Sequence, residues 1–235
     1  MSTSPQQYRL KILEVKDLTH DVKEITFEKP AGVNFKPGQF ATVKIEDGKT
    51  PPLLRSYSVM FSPDGKNLQL AIKRVENGRG SVWLCEKRAG DEIQVLFPLG
   101  FFGLPEGPLE ELVFIGTGTG IVPLLCMLES LPAGFNKKVK LIFGVRYKED
   151  VFYVDRIEAL KKKILDFEFI LTVSRADEAW LNEGGLAGRV MDHLVSPSLM
   201  AHYFICGNQA MINDVNALLL EKGVPKEQIH FESFG

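Results

Sequence analysis

The chain changes its grammar near residue 105, and that change limits its fold more than any other feature. Before it, short β-prone runs at residues 23–28, 40–45, 56–61 and 68–75 follow one another too closely for crossover helices. Pro37-Gly38, Asp47-Gly48, Asp64-Gly65 and Ala89-Gly90-Asp91 punctuate them as turns. This half predicts an antiparallel barrel or sandwich from Tyr8 to about Leu99, with one helix at residues 81–87 for which Ser81 is a suitable N-cap. After the linker-like stretch Pro105 to Pro108, strand-like runs at residues 112–115, 139–143, 167–173, 203–206 and 229–232 alternate with helical runs at residues 122–131, 155–164, 189–195 and 210–222. Alternation of this kind predicts five parallel strands in a doubly wound sheet. Ligands of such sheets sit off the carboxyl ends of the strands.

Two glycine-bearing turns fall at those ends. In Leu112 to Pro123, LVFIGTGTGIVP, an apolar run opens into Gly116, Gly118 and Gly120 and then into a helix that tolerates Pro123 in its first turn. Glycines there permit positive φ and close approach of a phosphate to main-chain N–H groups at a positive helix end. The spacing is GxGxG, with Ile121 where the commoner dinucleotide fingerprint has its third glycine, and no Gly-Lys-Ser or Gly-Lys-Thr follows to make a nucleoside-triphosphate loop. By themselves the glycines are equally compatible with a tight turn that binds nothing. Cys206-Gly207-Asn208 forms the second turn.

Composition removes several classes. A net charge of −2, from 28 basic and 30 acidic residues, gives no electrostatic case for nucleic acid. No run approaches the ~18 apolar residues of a membrane span, and the start MSTSPQQYRL lacks a signal pattern, so a soluble cytoplasmic protein without membrane contact is expected. Cys85, Cys126 and Cys206 are too few and too far apart for a disulfide framework or a zinc or iron–sulfur ligand set, so no metal site is expected. Cys85 and Cys126 read as buried core.

Five motifs in register make the chain resemble the ferredoxin–NADP+ reductase superfamily of flavoproteins over nearly its full length. They are Arg55-Ser56-Tyr57-Ser58, then Ile72-Lys73-Arg74 with Gly78-Arg79-Gly80-Ser81, then Gly116 to Pro123, then Cys206-Gly207, and last Glu232-Ser233-Phe234. The resemblance implies a six-stranded antiparallel FAD-binding barrel over residues 1–104 and a five-stranded NAD(P)-binding α/β domain over residues 110–235. It also implies a monomer that carries no ferredoxin or haem domain and meets a ferredoxin or another one-electron carrier protein.

Residue roles follow from the same resemblance. Arg55 neutralises the flavin diphosphate, a task suited to a rigid fork of donors. Ser56 lies between it and Tyr57, which offers an aromatic face, while Ser58 reaches the reactive N5. Ile72, Lys73, Arg74, Gly78, Gly80 and Ser81 form the second flavin segment. Gly116, Thr117, Gly118, Thr119, Gly120 and Pro123 cradle the nicotinamide dinucleotide, with Gly207, Asn208 and Met211 beside it. Cys206 touches the hydride-bearing carbon, Glu232 carries the proton, and Phe234 covers one flavin face.

Ser174-Arg175, aided by Arg146 and Lys148, stands where relatives that prefer NADPH grip its 2′-phosphate, although Asp177 and Glu178 follow where a phosphate would favour positive charge. The expected activity is FAD-dependent hydride transfer from NAD(P)H followed by single-electron delivery. The alternatives are a reductase component of an oxygenase or cytochrome system, an NAD(P)H:flavin reductase, and a non-catalytic flavin-binding subunit.

Overall fold

A computed structural model describes residues 4–233, and the chain divides into two units, Met1–Leu104 and Pro105–Gly235. Phe234, expected over the flavin, lies outside the described residues.

The first unit contains β1 (Gln6–Asp17), β2 (Val22–Glu28), β3 (Phe40–Ile45), β4 (Leu53–Ser58), β5 (Met60–Phe61), β6 (Asn67–Lys73), helix α1 (Arg79–Cys85) and β7 (Glu92–Leu99). They form one antiparallel sheet in the order β4-β3-β7-β1-β2-β6-β5. The long strand β1 pairs through its first half with β7 and through its second half with β2, with a register shift between Ile12 and Glu14. Such a shift bends the strand and curls the sheet. The curl brings the edge strands together, because β4 and β5 are consecutive in sequence and only Val59 separates them. Alternating residues fill the interior: Ala41, Val43 and Ile45 of β3 and Ile93, Val95 and Phe97 of β7 are each at most 3% exposed.

The expected six strands become seven because the single run at 56–61 divides at Val59, where the chain passes from pairing with β3 (Val59 N donates to Gln39 O at 3.1 Å) to pairing with β6 from Met60. The expected helix at 81–87 starts instead at Arg79, and Ser81 is its third residue, not its cap. Its hydroxyl turns back to accept from Val75 N at 3.0 Å and so pins the turn that precedes α1.

The second unit runs β8 (Glu111–Thr117), α2 (Ile121–Ser130), β9 (Phe135–Val145), α3 (Val154–Glu158), β10 (Ile164–Val173), α4 (Glu178–Asn182), β11 (Leu186–Ala187), β12 (Ala201–Gly207), α5 (Gln209–Glu221) and β13 (Ile229–Ser233). The sheet order is β11-β10-β9-β8-β12-β13, and every pairing is parallel. Helices cover both faces. Val113 and Ile115 pack with Tyr203, Ile205 and the α5 residues Ile212, Val215 and Leu219, whereas Gly116 faces Leu124 of α2. Cover on both sides is why Leu112–Ile115 is an unbroken apolar run.

The sheet has six strands where five were expected, because β11 is two residues long and leaves no periodicity to read. The helix expected at 189–195 is one 3-10 turn, Val190–His193, with Val190 buried against the sheet. The helix expected at 155–164 shortens to α3 and a further 3-10 turn, and β10 begins earlier than expected, at Ile164. Among the described residues no helix is long and apolar enough to cross a membrane.

Candidate active site

In the first unit the residues expected to meet flavin lie on β4, β6 and α1. Arg55 is exposed, and its guanidinium donates to the neighbouring Leu54 carbonyl at 3.0 Å, which leaves most of its donor fork to solvent. Its stem crosses Gly80: a Cβ there would stand 3.0 Å from Arg55 Cγ, so glycine lets α1 approach the arginine. Ser56 is bonded across the sheet to Thr42 (3.2 Å), and Ser58 is 8% exposed at the end of β4. Burial, with a smaller contribution from Cys85, pushes the Tyr57 phenol up to about 12, so it stays neutral.

The second flavin segment is less available than its residue types suggest. Ile72 is fully buried, so any role of that residue falls to its main chain. Lys73 pairs with Asp21 at 2.5 Å, and Arg74 is exposed. Arg79, which the sequence reading passed over, makes the most contacts in its motif. Its Nε and Nη2 donate to the two carboxylate oxygens of Asp47 at 2.6 and 2.7 Å. Nη1 and Nη2 also donate to Pro51 O (3.1 Å) and Lys49 O (3.0 Å).

In the second unit two glycine turns close on each other at the carboxyl edge of the sheet. A Cβ on Gly120 would lie 2.2 Å from Cys206 O, and one on Gly207 would lie 2.2 Å from Thr117 Oγ1 and 2.7 Å from Met211 Cε. Gly118 is different. Its φ is +53° and nothing lies within 4 Å of where a side chain would begin, so its turn opens onto free space. Thr119 is half-buried beside it, Gly116 is the penultimate residue of β8 and lies under Leu124, and Pro123 sits in the first turn of α2. Asn208 caps α5 by accepting from Met211 N at 2.9 Å and reaches Thr117 Oγ1 at 3.5 Å.

Cys206 and Glu232 are register neighbours on β12 and β13, and Cys206 is also opposite Gly116 of β8. The thiol is 1% exposed; burial, reinforced by the Glu232 carboxylate, holds it protonated well above its usual range. Burial also raises Glu232 to about 7, and its Oε2 is buried with no hydrogen-bond partner among the described residues. An acid near neutrality, with an orphaned oxygen on the strand next to Cys206, is equipped to take and give a proton.

Beyond the ends of β9 and β10, Arg175 N donates to Arg146 O at 2.9 Å and Arg175 Nη1 to the Tyr147 hydroxyl at 2.9 Å. Arg146, Ser174 and Arg175 are all exposed there. Tyr147 carried no sequence signal, and it holds Arg175 in place. Lys148 does not join the group, because it pairs with Glu183 at 2.6 Å. Asp177 is occupied as the N-cap of α4, accepting from Trp180 N at 2.8 Å, so helix capping accounts for an acid at that position.

These residues fit two ligands: a diphosphate-bearing aromatic beside Arg55 and Tyr57, and a dinucleotide over Gly116–Gly120 and Cys206. The comparisons agree. Residues 9–103 match the oxidoreductase FAD-binding domain and residues 114–217 the oxidoreductase NAD-binding domain, so the chain is an FAD- and NAD(P)-binding oxidoreductase. It is 31% identical to ferredoxin–NADP reductase B of Sorangium cellulosum, over 97% of this chain and 98% of that one. It is 30% identical to the reductase component of propane 2-monooxygenase of Mycolicibacterium goodii, over 97% of this chain and 68% of the relative. Among solved structures, a ferredoxin NADP+ reductase from Neisseria gonorrhoeae with bound FAD and NADP superimposes with a TM-score of 0.78 at 26% identity, over 97% of this chain and 98% of that one. The chain belongs to the ferredoxin–NADP+ reductase superfamily.

Proposed function

We propose that this protein passes electrons from NADPH, through bound FAD, to a ferredoxin-like iron–sulfur carrier, one at a time. The observation that carries the reading is the meeting of Cys206 and Glu232, in register, against the Gly116–Gly120 turn. FAD, when bound, would supply the conversion from two-electron hydride chemistry to one-electron transfer.

The chain's own groups bind, orient and handle protons. Arg55 would neutralise the flavin diphosphate, and Tyr57 would offer its aromatic face to the ring system. Ser58 offers a hydroxyl at the end of β4. The neutral thiol of Cys206 packs against the nicotinamide without competing as a nucleophile. Glu232 carries the proton that must leave when electrons depart. Full-length similarity to a ferredoxin–NADP reductase supports a ferredoxin acceptor. A second reading, the reductase of a multicomponent oxygenase, is supported by the similarity to the propane 2-monooxygenase component, a longer protein of which this chain spans 68%.

An anaerobic absorption spectrum followed by titration with NADPH and NADH tests this function. Flavin bands at about 380 and 450 nm should bleach on addition of nucleotide. Bound flavin that neither nucleotide bleaches would instead identify a non-catalytic subunit, and flavin that behaves as a freely exchanging substrate would identify a flavin reductase.

Preference for NADPH is read from Arg175, Arg146 and Ser174. Arg175→Ala should raise KM for NADPH by about tenfold or more, the usual cost of a charge-assisted bond, and leave KM for NADH within about twofold. Equal losses for both nucleotides would remove the 2′-phosphate role.

A further inference from the structure

The motif Gly78-Arg79-Gly80-Ser81 carries an arginine beside the expected flavin diphosphate, yet that arginine is already spent. Of the five N–H groups of a guanidinium, four of those on Arg79 are committed to Asp47, Pro51 O and Lys49 O at 2.6 to 3.1 Å. The pair is strong in both directions: the guanidinium holds the Asp47 carboxyl well below the usual carboxylate range, and the carboxylate raises Arg79.

All three partners belong to the segment 47–51, which leads into β4 two residues before Leu53 and four before Arg55. Arg79 is also the first residue of α1, next to Gly80, where a Cβ would stand only 3.0 Å from Arg55 Cγ. The bidentate contact therefore ties the two stretches of chain that must stay in fixed relation for Arg55 to point outward over α1. We propose that Arg79 and Asp47 are positioning residues that clamp the 47–51 segment to α1 and thereby preset Arg55 for the flavin diphosphate. The proposal rests on the reading of Arg55 as the cation that meets that group.

A guanidinium fork fixes direction as well as distance, which an ammonium does not. Lysine at position 79 should therefore keep the charge and lose part of the positioning.

The test is FAD affinity, read from the quenching of flavin fluorescence by the full chain, for Arg55→Gln, Arg79→Gln, Arg79→Lys, Asp47→Asn and the double variant Arg55→Gln/Arg79→Gln. Melting of the FAD-free proteins is followed in parallel. Arg55→Gln and Arg79→Gln are each expected to weaken FAD binding by about tenfold or more, Arg79→Lys by less, and Asp47→Asn by about as much as Arg79→Gln. The double variant should bind little worse than either single one, because both remove the same interaction. Losses that multiply in the double variant would overturn the proposal, as would an unchanged affinity in Arg79→Gln and Asp47→Asn while Arg55→Gln weakens binding. A fall in affinity that only tracks unfolding of the FAD-free variants would overturn it too. An unchanged affinity in Arg55→Gln would remove the reading beneath the proposal, and the proposal with it.

Discussion

Gly120→Ala should destroy nicotinamide binding and lower stability by about 2 to 3 kcal/mol, the usual range for forcing an extra atom into a closed contact. The new methyl would stand 2.2 Å from Cys206 O and 2.5 Å from Cys206 C, which are main-chain atoms that cannot rotate away. Relief requires that the end of β12 move off the β8 turn, which displaces both Cys206 and the glycine cradle. Gly118→Ala supplies the contrast. Its methyl would meet nothing within 4 Å, so the protein loses only the roughly 1 kcal/mol of a left-handed residue, while the methyl protrudes where the dinucleotide phosphates would lie. Thermal melts and KM for NADPH of the two variants should therefore separate: a large fall in Tm with a large rise in KM for Gly120→Ala, and mainly a rise in KM for Gly118→Ala. Similar melts for the two would show that the β8 and β12 turns are not tightly locked.

Glu232→Gln should make the protein more stable at about pH 8 and leave it unchanged at about pH 4. Burial raises the folded carboxyl from its ordinary value of 4.5 to about 7. Between those values the native chain keeps a proton that the unfolded chain releases, so this group's contribution to stability is complete below about 4.5 and is lost as pH rises through about 7. Above that range the native state carries an ionised oxygen without a partner, at a cost on the order of 2 kcal/mol that glutamine avoids. The same substitution removes the proposed proton carrier, so turnover with a one-electron acceptor should fall while flavin bleaching by NADPH persists. Melts taken without nucleotide at the two pH values check the first effect. Coincident curves near pH 8 would mean that the ionised carboxylate finds a donor.

Much of the fold was legible because periodicity reports burial directly. Leu112–Ile115 reads as a strand covered on both faces, and it is one. What escaped was structure without a period of its own. β11 has two residues, and the 3-10 turn at Val190–His193 is too short to repeat. Ser81 carried the right chemistry for a cap but not the position, since its hydroxyl serves the preceding turn. The positions of the candidate site residues were legible where a residue type is rare in its context, as with glycines at strand ends and an acid on a terminal strand. They were hidden where function depends on what else competes for a side chain. Nothing in the letters distinguishes Arg55, whose donors face solvent, from Arg79, whose donors are taken, and nothing marks Tyr147 as the holder of Arg175. Asp177 shows the converse, an acid whose presence its capping bond explains without removing its charge.

The division of one run into β4 and β5 at Val59 links ligand occupancy to the integrity of the barrel. The strip that joins the two edges of the sheet is also the strip that bears Arg55, Tyr57 and Ser58. Opening the barrel at this join disperses the three side chains, and a ligand held by them resists that opening by mass action. Each tenfold excess of free FAD over its Kd adds about 1.4 kcal/mol to the work of parting the edges. If these three side chains hold the flavin as proposed, the strip is a fastening that closes more firmly as the cofactor becomes abundant, and scarcity of flavin is felt first as a loosened barrel.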